Sequence, residues 1–320
     1  MTSVLRQLQA EWNTLVPQAQ ERGIRRVRLL NAPLETIAYR RAKLEWLRAQ
    51  IGTSNAFDSL SFGVEIECII PRRMTRQSLA DAITAAGVEC ISDASQHTTR
   101  RTWKVVYDGS LTYGSGVEVV SPPLRGEAGF SQLRKVCATL VRIGARVNKT
   151  CGFHVHVGAG GEPVDFFKRL IRLYASAEDA IDSFMAHSRR LSNSGWCQSI
   201  RRHVNTSALD AAQTVNDVCR AIGQDPRNVR GSTRYRKLNM LAAVQHGTVE
   251  FRQHQGTVEA VKIENWVKLV LRMCLAARVD DKVAATLEEL MTVIKASDAE
   301  KKFFSDRAAE FRRRENRGEG

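Results

Sequence analysis

Apolar and charged residues alternate through Phe62-Gly63-Val64-Glu65-Ile66-Glu67-Cys68-Ile69-Ile70, the pattern of a β-strand. Side chains alternate across a strand, so Val64, Ile66 and Cys68 share one face and Glu65 and Glu67 the other. The same period predicts strands over Trp103–Tyr107, Gly116–Ser121, Cys151–Val157, Leu238–Ala243 and Thr248–Gln253. Asp108-Gly109-Ser110 reads as a turn, and Pro122-Pro123 ends the strand before it. Helical spacing appears elsewhere. Thr75–Gly87 carries Leu79, Ala82, Ile83 and Ala86 on one stripe, with Thr75 as N-cap and Gly87 as stop. Leu133–Ile143, Asp165–Met185 and Ala260–Arg278 are further predicted helices. Arg189–Trp196 reads as an exposed loop.

The ends have a different texture. Leu34, Ile37, Ala38, Leu44, Leu47 and Ile51 form a helical stripe, with Arg40, Arg41, Lys43 and Arg48 largely off it. Gly52-Thr53-Ser54-Asn55 reads as a linker. Residues 281–320 read as helical and then frayed, with a solvated or disordered Arg312-Arg313-Arg314 run. The chain thus reads as three segments: a helical extension over 1–55, a central domain over 56–280 and a basic helical tail over 281–320. Several central strands are joined by turns too short for parallel pairing. The predicted class is α+β, a mainly antiparallel sheet with helices on its outer face.

Composition narrows the partners. The chain has 320 residues and a formal net charge of +14, which favours anionic partners such as nucleotides, acidic substrates or nucleic acid. No helix-turn-helix, zinc-finger or RNA-recognition pattern indicates nucleic acid. No apolar run reaches the roughly 18 residues that span a bilayer, so no membrane partner is expected. Met1–Gln7 has no apolar core of a signal peptide. The seven cysteines are scattered and form no Cys-x-x-Cys pair. They fit reduced thiols in a cytoplasmic protein and argue against a zinc–thiolate site.

The chemistry lies in polar residues set at i, i+2 within otherwise apolar strands: Glu65 and Glu67; Glu118; His154 and His156; Glu250, Arg252 and His254. Brought together in one sheet, they would make one face densely polar. Such a face suits a concave site for cations and an anionic ligand. Several carboxylates with one or two imidazoles suit Mg²⁺ or Mn²⁺ better than Zn²⁺. An arginine two residues from a carboxylate suggests phosphoryl transfer, with the carboxylate holding metal and the guanidinium the transferring group. Each piece has a plainer reading: a surface His-x-His, a cross-strand Glu–Arg pair, a turn at Asp108-Gly109-Ser110.

Taken in order, these segments resemble the amidoligases, members of the carboxylate–amine ligase superfamily that includes glutamine synthetase and glutamate–cysteine ligase. The matching segments are Phe62–Glu67, Trp103 through Ser110, Gly116–Leu124, Cys151–Val157, Ser188–Arg190, Arg234–Asn239 and Val249–Arg252, spanning about residues 60–275. The resemblance implies a curved antiparallel sheet forming a funnel that holds ATP and two or three divalent ions. It implies phosphorylation of a small-molecule or peptide carboxylate, then attack by an amine on the acyl phosphate. By position, it makes Glu65, Glu67, Glu118, Glu250 and one or both of His154 and His156 metal ligands. Arg252 would stabilise the transferring phosphoryl group. Arg189 and Arg190 would hold phosphate or substrate carboxylate. Lys104, Asn148, Arg236 and Asn239 would contact nucleotide or substrate. Two other classes compete: a metal-dependent hydrolase using the same cluster, and a binding protein whose basic ends contact nucleic acid.

Overall fold

The computed structural model describes residues 12–13, 57, 59–94, 98–109, 111, 116–190 and 195–318. The predicted helix over Leu34–Ile51, the linker at 52–55 and Ser110 lie outside them. The chain divides into two compact units, Met1–Ser59 and Leu60–Gly320, and the sheet and its cleft belong to the second.

Strand β1 (Phe62–Ile69) is the middle of a seven-stranded sheet, ordered β2-β3-β4-β1-β5-β7-β6. The others are β2 (Cys90–Ser92), β3 (Trp103–Tyr107), β4 (Gly116–Val120), β5 (Gly152–Gly158), β6 (Leu238–Asn239) and β7 (Thr248–Gln255). The sheet is mixed, which qualifies the expectation of a mainly antiparallel one: β2 runs parallel to β3 at one edge, while the other five described pairs are antiparallel. Three residues of β2 are too few to show a period, so pattern alone does not reveal the parallel edge.

The described residues form ten α-helices: α1 (Arg76–Ala85), α2 (Gly126–Arg142), α3 (Val164–Ser176), α4 (Glu178–Asp182), α5 (Thr206–Ala211), α6 (Val215–Ala221), α7 (Leu241–His246), α8 (Ala260–Val279), α9 (Leu287–Val293) and α10 (Asp298–Asn316). None is long and apolar enough to cross a membrane. Helix α8 packs on α2, α3 and β5. The sheet face turned to these helices is apolar: Val64, Ile66, Cys68, Val119, Phe153, Val155 and Phe251 are each at most 1% exposed. Each large one contributes about 1.5–3 kcal/mol by leaving water. This packing commits the opposite face to the polar set.

Four boundaries differ from the pattern, each for a local reason. Helix α2 begins at Gly126, ahead of the expected Leu133. Its glycines weaken the helical signal, yet a Cβ on Gly129 would come within 2.8 Å of the Leu124 Cβ. The predicted helix over Asp165–Met185 breaks at Ala177. Beyond the break, Glu178 and Asp182 are buried on the ammonium of Lys237, at 2.9 and 2.6 Å. The predicted strand over Leu238–Ala243 stops at Asn239 and becomes α7. Side chains take the next backbone N–H groups: Met240 donates to Gln224 Oε1 at 2.8 Å and Leu241 to Asn239 Oδ1 at 3.0 Å. Gly247, at φ +66°, then caps α7 in the left-handed region. Finally, Arg312–Arg314 are exposed but helical, within α10.

Helix α10 also reaches the chain segment that carries Arg189. Arg307 Nε donates to the Phe184 carbonyl at 3.0 Å, and the rings of Phe184 and Phe304 lie 4.8 Å apart. Arg190 bonds Glu315 and lies over the Phe311 ring at 5.3 Å.

Candidate active site

Strand register assembles the polar residues. Glu67 stands opposite Glu118 across β1–β4, and Glu65 opposite His154 across β1–β5. His156 stands opposite Glu250 across β5–β7, and Glu250 opposite Asn239 across β7–β6. Phe153 pairs with His254 but Val155 with Phe251, so β7 carries a bulge that leaves Arg252 and Gln253 opposite His154. Such a bulge re-aims side chains. Arg252 lines the cleft, while Gln253 is fully buried against Asp182 and Tyr174.

The cleft above this face has a volume of about 710 Å³. Glu65, Glu67, Glu118, His154, His156, Asn239, Glu250, Arg189 and Arg252 line it. The imidazole of His154 stands between two donor groups. Its Nδ1 lies 3.0 Å from Glu65 and 3.9 Å from Glu250, and its Nε2 lies 3.7 Å from Glu67. The ligand atoms of Glu65, His154 and Glu250 fall within 4.8 Å of one another, as do those of Glu67, Glu118 and His154. His156 Nε2 approaches Glu65 at 3.3 Å and Glu250 at 3.8 Å. Asn239 donates to Glu250 at 2.7 Å, and the Gly152 N–H donates to Glu67 at 2.5 Å. Two carboxylate-rich groups around one imidazole fit a hard divalent cation such as Mg²⁺ or Mn²⁺.

The charges in this floor work against one another. Burial pushes the Glu118 carboxyl up, and repulsion from Glu65, Glu67 and Asp108 pushes it further, well above the usual carboxylate range. Burial also opposes the charge on Glu65, but hydrogen bonds from His154 and His156 outweigh it and hold its pKa well below that range. Burial is likewise overcome at Glu250, by Arg252 and His156, so its pKa is lowered. Burial works to lower the pKa of His156, but Glu250 and Glu65 raise it on balance.

These shifts make stability depend on pH. The lowered pKa values of Glu65 and Glu250 supply stability above the ordinary carboxylate range, lost as pH falls through their folded values. Glu118 acts oppositely: its raised pKa favours the fold at low pH, and that contribution disappears as pH rises through its folded value. His156 acts in the same sense as Glu118. The metal-free protein should therefore lose Tm as pH rises beyond the ordinary carboxylate range. Glu118→Gln should flatten that fall, and Mg²⁺ should raise Tm more at the alkaline end. Thermal melts across pH, with and without Mg²⁺, check this. An identical pH slope in Glu118→Gln would refute the assignment of the strain to Glu118.

Arginines form the other wall. Arg252 is bonded to Glu250. Arg189 is only 5% exposed, which corrects the expectation of an exposed loop at this point. It sits in a short 3-10 turn (His187–Arg189) and donates to the Cys151 carbonyl at 2.6 Å. The Nε groups of Arg189, Arg234 and Arg252 are buried without a hydrogen-bond partner, and all three residues line the cleft. An unsatisfied buried N–H costs about 1–3 kcal/mol; the three guanidinium groups together give this wall the positive charge that suits an anion.

Other expected contacts lie elsewhere. Arg190 is turned to α10 and donates to the Met185 carbonyl at 2.8 Å. Lys104 is buried and donates to the Thr98 carbonyl at 2.9 Å. Arg236 bonds Gln198, and Asn148 accepts from the Thr150 hydroxyl at 2.6 Å. None of these four is part of the cleft wall. Conversely, Asp108, Lys149, Trp196, Arg230, Arg234, Tyr235 and His246 line it although the strand pattern names none of them as a contact. They sit on turns and short helices, where no strand period marks them. Only the turn at Asp108 and the segment at Arg234 carry a signal in the sequence.

The seven cysteines are all buried and unpaired. Burial pushes the thiol of Cys68 up to about 12, so it is not a nucleophile at neutral pH.

No curated protein matches the chain. Among solved structures, one described as a novel glutamine synthase homolog aligns over 86% of this chain and 69% of its own, with 14% identity and a TM-score of 0.36. A family model described as "putative amidoligase enzyme" matches residues 58–274, more than half the sequence, and the chain belongs to this amidoligase family.

Proposed function

We propose that the protein is an ATP-dependent carboxylate–amine ligase that forms an amide or isopeptide-type bond through an acyl phosphate and works with Mg²⁺ or Mn²⁺. The observation that carries this is the division of one cleft into two carboxylate–imidazole groups on its floor and the guanidinium groups of Arg189, Arg234 and Arg252 on its wall. A carboxylate is a poor acyl donor, because its leaving group would be oxide, and phosphorylation supplies a better one. The obstacle is bringing a polyanionic nucleotide beside a second anion. Neutralisation of that charge dominates phosphoryl transfer.

Glu65, Glu250 and His154 would hold one cation, or Glu67, Glu118 and His154 would; a neutral imidazole has one free lone pair, so His154 serves one cation and the carboxylates alone would hold a second. Bound there, the cations would neutralise phosphate oxygens. Asn239 and the Gly152 N–H fix Glu250 and Glu67 in place. Arg252 is held by Glu250 and supplies positive charge beside the transferring group; Arg189 supplies a second charge. His156 is held by Thr248 Oγ1 at 2.9 Å and steadies Glu65. Buried, unbridged cysteines support a reducing compartment, and we place the enzyme in the cytoplasm.

Pools of carboxylates and amines, screened for ADP release, test the reading. ADP should appear only when Mg²⁺, a carboxylate and an amine are present together, and Glu65→Ala should abolish it. Turnover of an amide or phosphoester without nucleotide would instead establish a hydrolase.

A further inference from the structure

Beside the charged floor stands an aromatic wall that cation and phosphate binding leave unused. Trp196 lines the cleft and is 55% exposed. Its ring meets Tyr235 at a centroid distance of 4.6 Å and an interplanar angle of 72°. Tyr235 in turn lies beneath two guanidinium groups: Arg234 is 5.0 Å from its ring centroid and Arg252 is 5.8 Å. The segment bearing the indole is pinned to the one bearing the phenol. Gln198 N–H donates to the Tyr235 carbonyl at 3.0 Å, and Lys237 N–H donates to the Gln198 carbonyl at 2.9 Å.

A half-exposed indole on the cleft wall offers a flat apolar surface, and covering it with a ligand ring is favourable. The neighbouring Arg234 and Arg252 line the same cleft and carry the positive charge that an anion needs. A ligand meeting both demands joins a planar aromatic ring to phosphate. We infer that Trp196, backed by Tyr235, is the nucleoside subsite of this cleft: the base stacks on the indole while the phosphates reach Arg234 and Arg252. The inference rests on the nucleotide-dependent reading above and adds the place and manner of base recognition. Stacking is tolerant, because every base has a π-face. The wall therefore contributes affinity for a base without choosing among bases.

Calorimetric titration of the full chain in Mg²⁺ with ATP and with inorganic tripolyphosphate separates the two demands. The natural protein should bind ATP about 10-fold or more tighter than tripolyphosphate, the scale of one base–aromatic stack. Trp196→Ala should bring ATP down to the affinity of tripolyphosphate and leave tripolyphosphate unchanged. Trp196→Phe should retain most of the preference. Circular dichroism confirms the fold of both variants. Equal ATP binding by the natural protein and Trp196→Ala overturns the subsite while leaving the proposed function standing. Equal weakening of both ligands by Trp196→Ala overturns it as well. If the natural protein binds neither ligand, the nucleotide reading and the subsite fall together.

Discussion

Arg252→Gln is expected to slow ligation by about 10²–10³-fold in kcat, the usual loss when one preorganised charge-stabilising donor is removed. The guanidinium stands in a strongly acidic environment. Burial works against its charge, yet Glu250 and Glu65 raise its pKa above the arginine norm. It therefore remains a permanent cation. Glutamine keeps hydrogen-bonding capacity but no charge, so the loss isolates electrostatics. Arg252→Lys should recover only part of it, because an ammonium cannot offer the fork that binds Glu250 and a phosphate oxygen together. Steady-state ADP release measures both variants. A Gln variant within a few-fold of the natural enzyme would remove Arg252 from the chemistry.

The largest effect on stability is expected behind the site, at Lys237. This lysine is fully buried and bridges Glu178 and Asp182. Asp182 also accepts from Gln253, and Glu178 accepts the N–H groups of Ile200 and Arg201 at 2.9 and 3.0 Å. Removing one partner of a buried pair strands the other charge and costs about 3–5 kcal/mol. Lys237→Met should therefore cost that much in urea denaturation. Glu178→Gln and Asp182→Asn added to it should restore a substantial part, because no uncompensated charge then stays buried. A single-variant cost under about 1 kcal/mol would refute the buried ion pair as a main source of stability.

The strand face is legible in the sequence because its signal is local. Glu65 and Glu67 at i, i+2, His154 and His156 likewise, and the isolated Glu118 all interrupt apolar runs, and period two sends each set to one side. The cleft residues follow from strand register, which apolar burial sets. The hidden part is set over long sequence distances. No local pattern tells that Glu178 answers Lys237, or that the Asn239 amide at the end of β6 accepts the Leu241 N–H and holds Glu250. The arginines show the difference well. Arg189 and Arg190 are neighbours in sequence and carry the same expectation. A single 3-10 turn sends Arg189 to the cleft and Arg190 to α10.

That helix has a consequence for the order in which the molecule is completed. The family match ends at residue 274, before α10 begins at Asp298. The contacts from Arg307 to Phe184 and from Arg190 to Glu315 close over 123 and 125 positions. On a ribosome, the strands bearing the carboxylates emerge long before the helix that braces the arginine turn. Loop closure of this length is slow relative to local contacts. The acidic floor can therefore form first, and the cationic wall is braced only after the chain beyond the family boundary has folded back.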